Sequence, residues 1–145
     1  MANAQITWVE DMQFVARADT GHAIVMDASK ESAGFGSASS PMEVLLMGLL
    51  GCTAMDVISI LKKKRQPLAG FKIFATGERA PEHPKAYTAI HLEYVAYGEV
   101  EPAALARAIQ LSEETYCGAI ATVRGVAKIT SSYRVEPAAA TGSVG

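Results

Sequence analysis

Residues 40–61 read SPMEVLLMGLLGCTAMDVISIL and decide the fold of this chain. Ser40 is a good N-cap and Glu43 completes a Ser-x-x-Glu capping box, so the sequence predicts the start of a helix here. The helix is apolar nearly all round rather than along one stripe, which predicts that it is buried. Cys52 and Asp56 lie one turn apart in its second half. Such a helix is either a core helix with two unusual members or the floor of a reactive site.

The flanking sequence predicts strands on both sides of this helix and a second helix further on. Stretches rich in aromatic and β-branched residues indicate strands, and clusters of Gly, Ser and Pro indicate the turns between them. In chain order these are short strands within 5–27, a Gly/Ser-rich loop at 28–40, the long helix to about Arg65, a hairpin of 71–79 and 86–97, a second helix at 101–117, a short helical or irregular piece at 119–124 and a strand at 126–135.

Length and composition indicate a single domain. The chain has 145 residues, of which we assign 1–136 to the domain and 137–145, rich in Ala and Gly, to a flexible tail. The formal net charge of -2 includes no basic excess, so we expect no nucleic-acid partner. The central apolar run is long enough to suggest a membrane span. It contains Glu43 and Asp56 and opens on a capping box, so we expect no membrane association.

The N-terminal sequence and the cysteine content favour a cytoplasmic protein. Residues 1–20 include three acidic side chains, Glu10, Asp11 and Asp19, and lack the apolar segment of a signal peptide. Two cysteines do not make a disulfide scaffold in a chain of this size. The three histidines are scattered along the sequence. We therefore expect no metal site and no cofactor.

Cys52 and Cys117 are the candidate redox residues. They are 65 residues apart (117 − 52), which excludes a CxxC motif. They are either a nucleophile with its resolving thiol or two core cysteines, since free cysteine is among the most buried residue types. Gly48 and Gly51 each cost the helix about 1 kcal/mol relative to Ala. That cost is understandable if a ligand or another backbone must come close to Cys52.

A reactive thiolate needs a cation nearby. An unperturbed thiol is only about 3% ionised at pH 7. The helix dipole acts on the first turn of the helix, and Cys52 lies beyond that turn. Arginine is the natural partner because it stays charged when buried. The candidates are Arg17, Arg79, Arg107 and Arg124. Asp56 must pair with a cation, cap a backbone group or be protonated. Glu43 lies on the opposite side of a straight helix from Cys52, and the capping box explains it.

Three motifs resemble those of the OsmC/Ohr family, which unites osmotically inducible protein C with the organic hydroperoxide resistance proteins. The resemblance is closest to the YhfA-like branch. In that branch the strings Ser-Pro-Met-Glu, Gly-Cys-x-Ala-x-Asp-Val-x-Ser-Ile-Leu and Leu-Ser-x-Glu-x-Tyr-Cys recur. They stand here at residues 40–43, 51–61 and 111–117. The resemblance extends over roughly residues 3–136.

This resemblance implies an α+β fold of OsmC type: N-terminal antiparallel strands, a long buried central helix, a β-hairpin, a second helix and a C-terminal strand, in an intertwined homodimer. It also implies a thiol-dependent peroxidase of oxidative stress defence. In such an enzyme Cys52 attacks the O–O bond of a small organic hydroperoxide. The resulting sulfenic acid condenses with Cys117, and a thiol reductant opens the disulfide.

Two positions depart from the pattern of the peroxidase members of the family. Those members carry a Glu directly after the Pro that opens the helix, where this chain has Met42, with Glu43 next along. They also carry an Arg in the loop after the first strand, for which Arg17 is a nearby but inexact match. Asp56 is a candidate substitute for the carboxylate. Two rival functions follow: a non-enzymatic dimer that binds a small apolar ligand, and a thiol-based peroxide sensor.

Overall fold

A three-stranded antiparallel sheet forms most of the first compact unit, Met1–Met47. The structure is a computed structural model that describes residues 1–140. Asp11 and Gly21 adopt positive φ angles, 45° and 82°, in the two turns between the strands. The short strands predicted within 5–27 are confirmed. In sheet order the strands are β1 (Ala4–Glu10), β2 (Gln13–Ala18) and β3 (Ala23–Met26).

A buried aspartate organises the loop that follows β3. Asp27 is 2% exposed, and its carboxylate accepts a hydrogen bond from the Ser37 hydroxyl at 2.6 Å and others from the N–H groups of Ala28, Phe35 and Ser37. These hydrogen bonds, that of the Ser37 hydroxyl first, hold the pKa of Asp27 below its ordinary value although burial opposes them. Gly34 completes the loop, because a Cβ there would lie 2.0 Å from the carbonyl oxygen of Ala28.

The central helix α1 spans Pro41–Lys63. Its capping box forms as predicted: the Ser40 N–H donates to the Glu43 carboxylate at 2.7 Å, and the Glu43 N–H donates to the Ser40 hydroxyl at 3.4 Å. The helix ends close to the predicted position because Arg65 adopts the left-handed conformation, with φ of 54°. Burial within the single chain follows one stripe of residues four apart, which is Leu49, Thr53, Val57 and Leu61.

By length and composition α1 could cross a membrane, and it is the one helix of residues 1–140 of which this is true. A single helix of this kind is weak evidence, because the core helix of a water-soluble protein passes the same test. The faces of α1 outside the buried stripe include the side chain of Met55, which is 77% exposed. The sequence predicts that α1 is buried nearly all round, whereas in the single chain only one stripe of the helix is buried.

A second three-stranded sheet forms the framework of the second compact unit, which begins at Gly48. Its central strand pairs antiparallel with the strand before it and parallel with the last strand of the chain. The central strand also supplies much of the core, including Leu92, Tyr94 and Val95, each 0% exposed. The predicted hairpin and final strand are confirmed. The three strands are β4 (Leu68–Arg79), β5 (Tyr87–Gly98) and β6 (Lys128–Glu136).

The segment between β5 and β6 contains two helices separated by a π-helical turn. The second helix is shorter than the predicted 101–117, since α2 spans Pro102–Leu111 and the chain continues as a π-helical turn over Ser112–Tyr116. The Cys117 N–H donates at 2.8 Å to the carbonyl of Ser112, five residues back, which marks the wider turn. The predicted short helical piece is α3 (Gly118–Val123).

The C-terminal residues after β6 were predicted to form a flexible tail from residue 137. Ala138–Ala140 form a short 3₁₀ turn, and residues 141–145 lie outside the described part of the chain. The single domain over 1–136 stays a prediction, since the chain divides into two compact units.

Candidate dithiol site

The two cysteines meet in the second unit, and both are reduced. Cys52 lies in the middle of α1 and is half-buried, whereas Cys117 is 2% exposed. The two thiols are close enough that the presence of Cys52 raises the pKa of Cys117. The fold therefore brings together the pair that the sequence singled out, although its members are 65 residues apart (117 − 52).

The sequence predicted that Cys117 is the last residue of the second α-helix, and this prediction is wrong. The backbone of Cys117 is extended, with φ of -75° and ψ of 102°, and it stands between the π-helical turn and α3. Its Sγ accepts a hydrogen bond from the N–H of Ile120 at 3.4 Å and so caps α3. The extra residue accommodated by the π-helical turn changes the direction in which the side chain of residue 117 leaves the backbone.

The environment of Cys117 keeps its thiol protonated. Burial is the main cause that raises the pKa of Cys117 to about 11, and the neighbouring Cys52 raises it further, while the N–H of Ile120 acts in the opposite direction. At neutral pH the Cys117 thiol is therefore a poor nucleophile, because the thiolate is the reactive form. Cys52, which solvent and small molecules can reach, is the better placed of the two to react first.

A buried network of hydroxyl groups adjoins this pair. Thr53, the residue after Cys52, shares hydrogen bonds with the Tyr94 hydroxyl at 2.9 Å and with the Ser112 hydroxyl at 2.8 Å. Ser112 in turn donates to Oδ2 of Asp56 at 2.9 Å. The hydroxyl-bearing residues lie on α1, on β5 and on the π-helical turn. The network therefore ties together the elements that carry the two cysteines.

Glu113 stands at the other end of this network. Its Oε1 accepts a hydrogen bond from the Tyr94 hydroxyl at 3.0 Å, and its Oε2 accepts one from the Ser131 hydroxyl on β6 at 3.2 Å. Arg124, one of the four arginine candidates, donates to the backbone carbonyl of Glu113 rather than to its carboxylate. Burial raises the pKa of Tyr94, so its phenol is neutral at physiological pH.

Asp56 also borders an open cleft of about 430 Å³. The aliphatic and aromatic part of its lining comes from Ile60, Leu111 and Tyr116, and Lys63 and Lys64 add positive charge at the edge. Cys52 lies one turn before Asp56 on the same helix. Residues four apart on a helix are neighbours on its surface, so Asp56 separates Cys52 from the cleft, which Cys52 itself does not line.

The other predicted supporting residues belong to the first unit. Arg17 is exposed on β2, where it pairs with Gln5 and Ala23 in the sheet. Glu43 is exposed at the start of α1 and serves the capping box. The structure thus brings Cys52, Cys117 and Asp56 together within the second unit, whereas Arg17 and Glu43 lie in the first.

Sequence reasoning missed four members of the site. The missed residues form the hydroxyl network and its carboxyl end: Thr53, Tyr94, Ser112 and Glu113. No spacing in the sequence links them, because the residues that hydrogen-bond each other in the network are 19 to 59 positions apart. Of the four, only Ser112 occupies a specified position of a recurrent string, in Leu-Ser-x-Glu-x-Tyr-Cys, and this was the available signal. Among residues 1–140 no group of three or more His, Cys, Asp or Glu side chains could hold a metal ion.

The fold and the site define an α+β protein with a reduced cysteine pair beside a buried polar network. The sequence model of the OsmC-like protein family matches residues 34–132, and the chain belongs to this family. Protein YhfA of Escherichia coli K12 is 39% identical over 133 residues, which cover 91% of this chain and 96% of YhfA.

Solved structures share the same fold. A hypothetical protein from Aquifex aeolicus VF5 is 35% identical with a TM-score of 0.83, covering 94% of this chain and 97% of that one. An organic hydroperoxide resistance protein OsmC from Legionella pneumophila is 14% identical, with a TM-score of 0.71 over 93% of this chain and 97% of that one. The second likeness concerns the fold alone. Family membership supports a general OsmC-like role for this chain.

Proposed function

We propose that the protein is a cytoplasmic, thiol-dependent peroxidase that reduces small organic hydroperoxides through Cys52 and Cys117. The observation that carries the proposal is the proximity of two free thiols of unequal burial. The half-buried Cys52 is open to substrate, and the buried Cys117 is in place to react with whatever forms on its neighbour. The name of the Legionella pneumophila relative, an organic hydroperoxide resistance protein, agrees with this chemistry.

The reaction uses both thiols in turn. The Cys52 thiolate attacks the distal oxygen of the hydroperoxide, the O–O bond breaks, and a sulfenic acid and an alcohol result once the alkoxide takes up a proton. The Cys117 sulfur then displaces water from the sulfenic acid and forms a Cys52–Cys117 disulfide. Two equivalents of an external thiol reduce this disulfide and restore the pair. The apolar side of the cleft beside Asp56 suits an organic rather than an inorganic peroxide.

The proposed active form is a homodimer. Large apolar side chains are exposed in both units, among them Trp8 and Val25 in the first sheet and Met55 and Phe74 in the second unit, at 65%, 51%, 77% and 52%. Exposed apolar surface on a folded unit is typical of protein–protein interaction sites, and a second copy of the chain would bury these side chains. Light scattering coupled to size exclusion gives the mass directly, and a mass of one chain at micromolar concentration would contradict the homodimer.

Single cysteine variants test the catalytic proposal. Cys52→Ser is expected to abolish consumption of cumene hydroperoxide under an excess of dithiol. Without added thiol, Cys117→Ser is expected to consume one equivalent of hydroperoxide and to accumulate a sulfenic acid on Cys52, which dimedone labels and mass spectrometry detects. Equal consumption by Cys52→Ser and wild-type protein would refute the proposal.

The cleft beside Asp56 also supports a second candidate, the binding of a small apolar ligand without turnover. Its apolar lining and its volume of about 430 Å³ match a ligand of modest size. Native mass spectrometry distinguishes the two functions. A retained ligand together with thiols that stay reduced under hydroperoxide favours binding, whereas rapid formation of an intramolecular disulfide favours catalysis.

A further inference from the structure

A chain of hydrogen bonds runs from Asp56 to Glu113 and lacks one hydrogen. Each contact requires a hydrogen between its two oxygen atoms. The three hydroxyl groups supply three hydrogens, and an ionised carboxylate supplies none. Four contacts therefore need a fourth hydrogen. The contacts are Asp56–Ser112 at 2.9 Å, Ser112–Thr53 at 2.8 Å, Thr53–Tyr94 at 2.9 Å and Tyr94–Glu113 at 3.0 Å.

Solvent does not supply the fourth hydrogen at the hydroxyl groups. Thr53, Tyr94 and Ser112 are each 0% exposed. Burial raises the pKa of Tyr94, and the neighbouring Cys117 raises it further, so the phenol keeps its own hydrogen and counts as one donor. A buried contact without a hydrogen would set the lone pairs of two oxygens against each other, which is costly where water cannot screen them. A proton on one of the two carboxyl groups would supply the fourth hydrogen and keep all four contacts.

We propose that Asp56 and Glu113 share one proton through the three buried hydroxyls, so that the two carboxyl groups together carry a single negative charge. When Asp56 holds the proton, every hydroxyl donates towards Glu113. When Glu113 holds it, every hydroxyl donates towards Asp56. A concerted reversal of the three hydroxyls transfers the proton between the two ends and keeps all four contacts.

The charged groups around the pair are compatible with a shared proton. Neither carboxyl forms an ion pair with a basic side chain of residues 1–140, where the two ion pairs both belong to Arg134. The Arg124 guanidinium is occupied by the backbone carbonyl of Glu113. Lys63 and Lys64 border the cleft next to Asp56 but are exposed, and solvent weakens their effect. Within residues 1–140 of the single chain, no ion pair therefore holds either carboxyl group in its ionised form.

The shared proton gives Asp56 a role in catalysis, and this step rests on the proposed function. Reduction of a hydroperoxide by the Cys52 thiolate leaves an alkoxide that needs one proton. Asp56 lies one helical turn from Cys52 and borders the cleft, so it can donate the shared proton to that alkoxide. Both carboxylates are then ionised, and uptake of one proton from solvent restores the pair.

Amide variants count the proton without reference to catalysis. In Asp56→Asn an amide N–H donates to Ser112, all hydroxyls donate towards Glu113, and Glu113 is fully ionised. In Glu113→Gln the directions reverse and Asp56 is ionised. Each single variant therefore keeps all four contacts and the same total charge as the wild type. The double variant Asp56→Asn/Glu113→Gln loses one negative charge.

Native electrophoresis at pH 7 measures this difference. The formal net charge is only -2, so a change of one charge per chain alters the mobility strongly. Glu82→Gln, a change at an exposed carboxylate in a turn, is the matched control and must shift by one charge. We expect both single variants to migrate with the wild type and the double variant to migrate with the control. Shifts of both single variants equal to that of Glu82→Gln would overturn the shared proton.

Infrared spectroscopy of the wild-type protein gives a second readout that needs no variant to fold. At neutral pH we expect the C=O stretching band of about one protonated carboxylic acid per chain, and its absence would overturn the proposal. The donation step has its own test. Glu113→Gln is expected to slow oxidation of Cys52 by cumene hydroperoxide by about 10²-fold, the lower range for general acid catalysis. An unchanged rate would refute donation by Asp56, while the electrophoretic result decides the shared proton.

Discussion

Removal of a single oxygen atom, by the substitution Tyr94→Phe, tests the energetic importance of the hydroxyl network. Tyr94 is 0% exposed, and its hydroxyl contacts Thr53 at 2.9 Å and Glu113 at 3.0 Å. The ring remains and keeps its contact with Phe71, whose centroid lies 6.4 Å away, so the substitution acts on the hydrogen bonds rather than on packing. One contact joins two neutral hydroxyls and the other involves a carboxyl group.

A neutral hydrogen bond contributes about 0.5–1.5 kcal/mol to stability and one to a charged group about 1.5–3 kcal/mol. Together they predict that Tyr94→Phe lowers the free energy of unfolding by about 2–4.5 kcal/mol. Urea unfolding followed by circular dichroism at one fixed protein concentration measures this loss, because an oligomer's apparent stability varies with concentration. Tyr133→Phe on β6, where the side chain is 48% exposed, is the control and should stay within about 0.5 kcal/mol of the wild type. Equal midpoints for the two variants would show that the buried network does not stabilise the fold.

Two further predictions concern the loop after β3 and the buried thiol. Gly34→Ala places a Cβ 2.0 Å from the carbonyl oxygen of Ala28, so we expect thermal unfolding to show a loss of stability of at least about 1 kcal/mol. Gly125→Ala is the control, because a Cβ at residue 125 would meet no atom within 4 Å. Equal losses of stability in the two variants would contradict the steric argument. Because the native pKa of Cys117 is raised from 9.0 to about 11, the unfolded chain loses its thiol proton first, and stability is expected to fall between those pH values. The fall should be smaller in Cys117→Ala, and the same slope in both proteins would contradict the raised pKa.

Local signals in the sequence predicted the elements accurately where adjacent residues determine them. The start of α1 depends on Ser40 and Glu43, which are three residues apart and form the predicted reciprocal hydrogen bonds. The turns of the first sheet fall where Asp11 and Gly21 adopt positive φ angles. In both cases the determining interaction is complete within a few residues, so the sequence alone is sufficient to identify it.

The region around Cys117 shows why the rest could not be predicted. The periodicity of residues 101–117 is helical throughout, and one added residue in a π-helical turn leaves almost no trace in an apolar pattern. The parallel pairing of β5 and β6 likewise depends on contacts between residues far apart in the sequence. The polar partners of the site come from these elements, so the hydroxyl network could not be assembled before the fold was known.

The helix α1 combines three demands that composition alone cannot separate. Its buried stripe packs within the chain, and its neighbouring face carries Cys52 and Asp56 next to the second unit's polar network. A third face, which includes Met55, is exposed in the single chain. A helix that packs against its own core, carries the proposed reactive site and, in the proposed homodimer, contacts a second copy of the chain needs apolar residues on several sides. Its sequence therefore resembles a membrane span, and the polar residues within it mark the face on which we propose that the chemistry takes place.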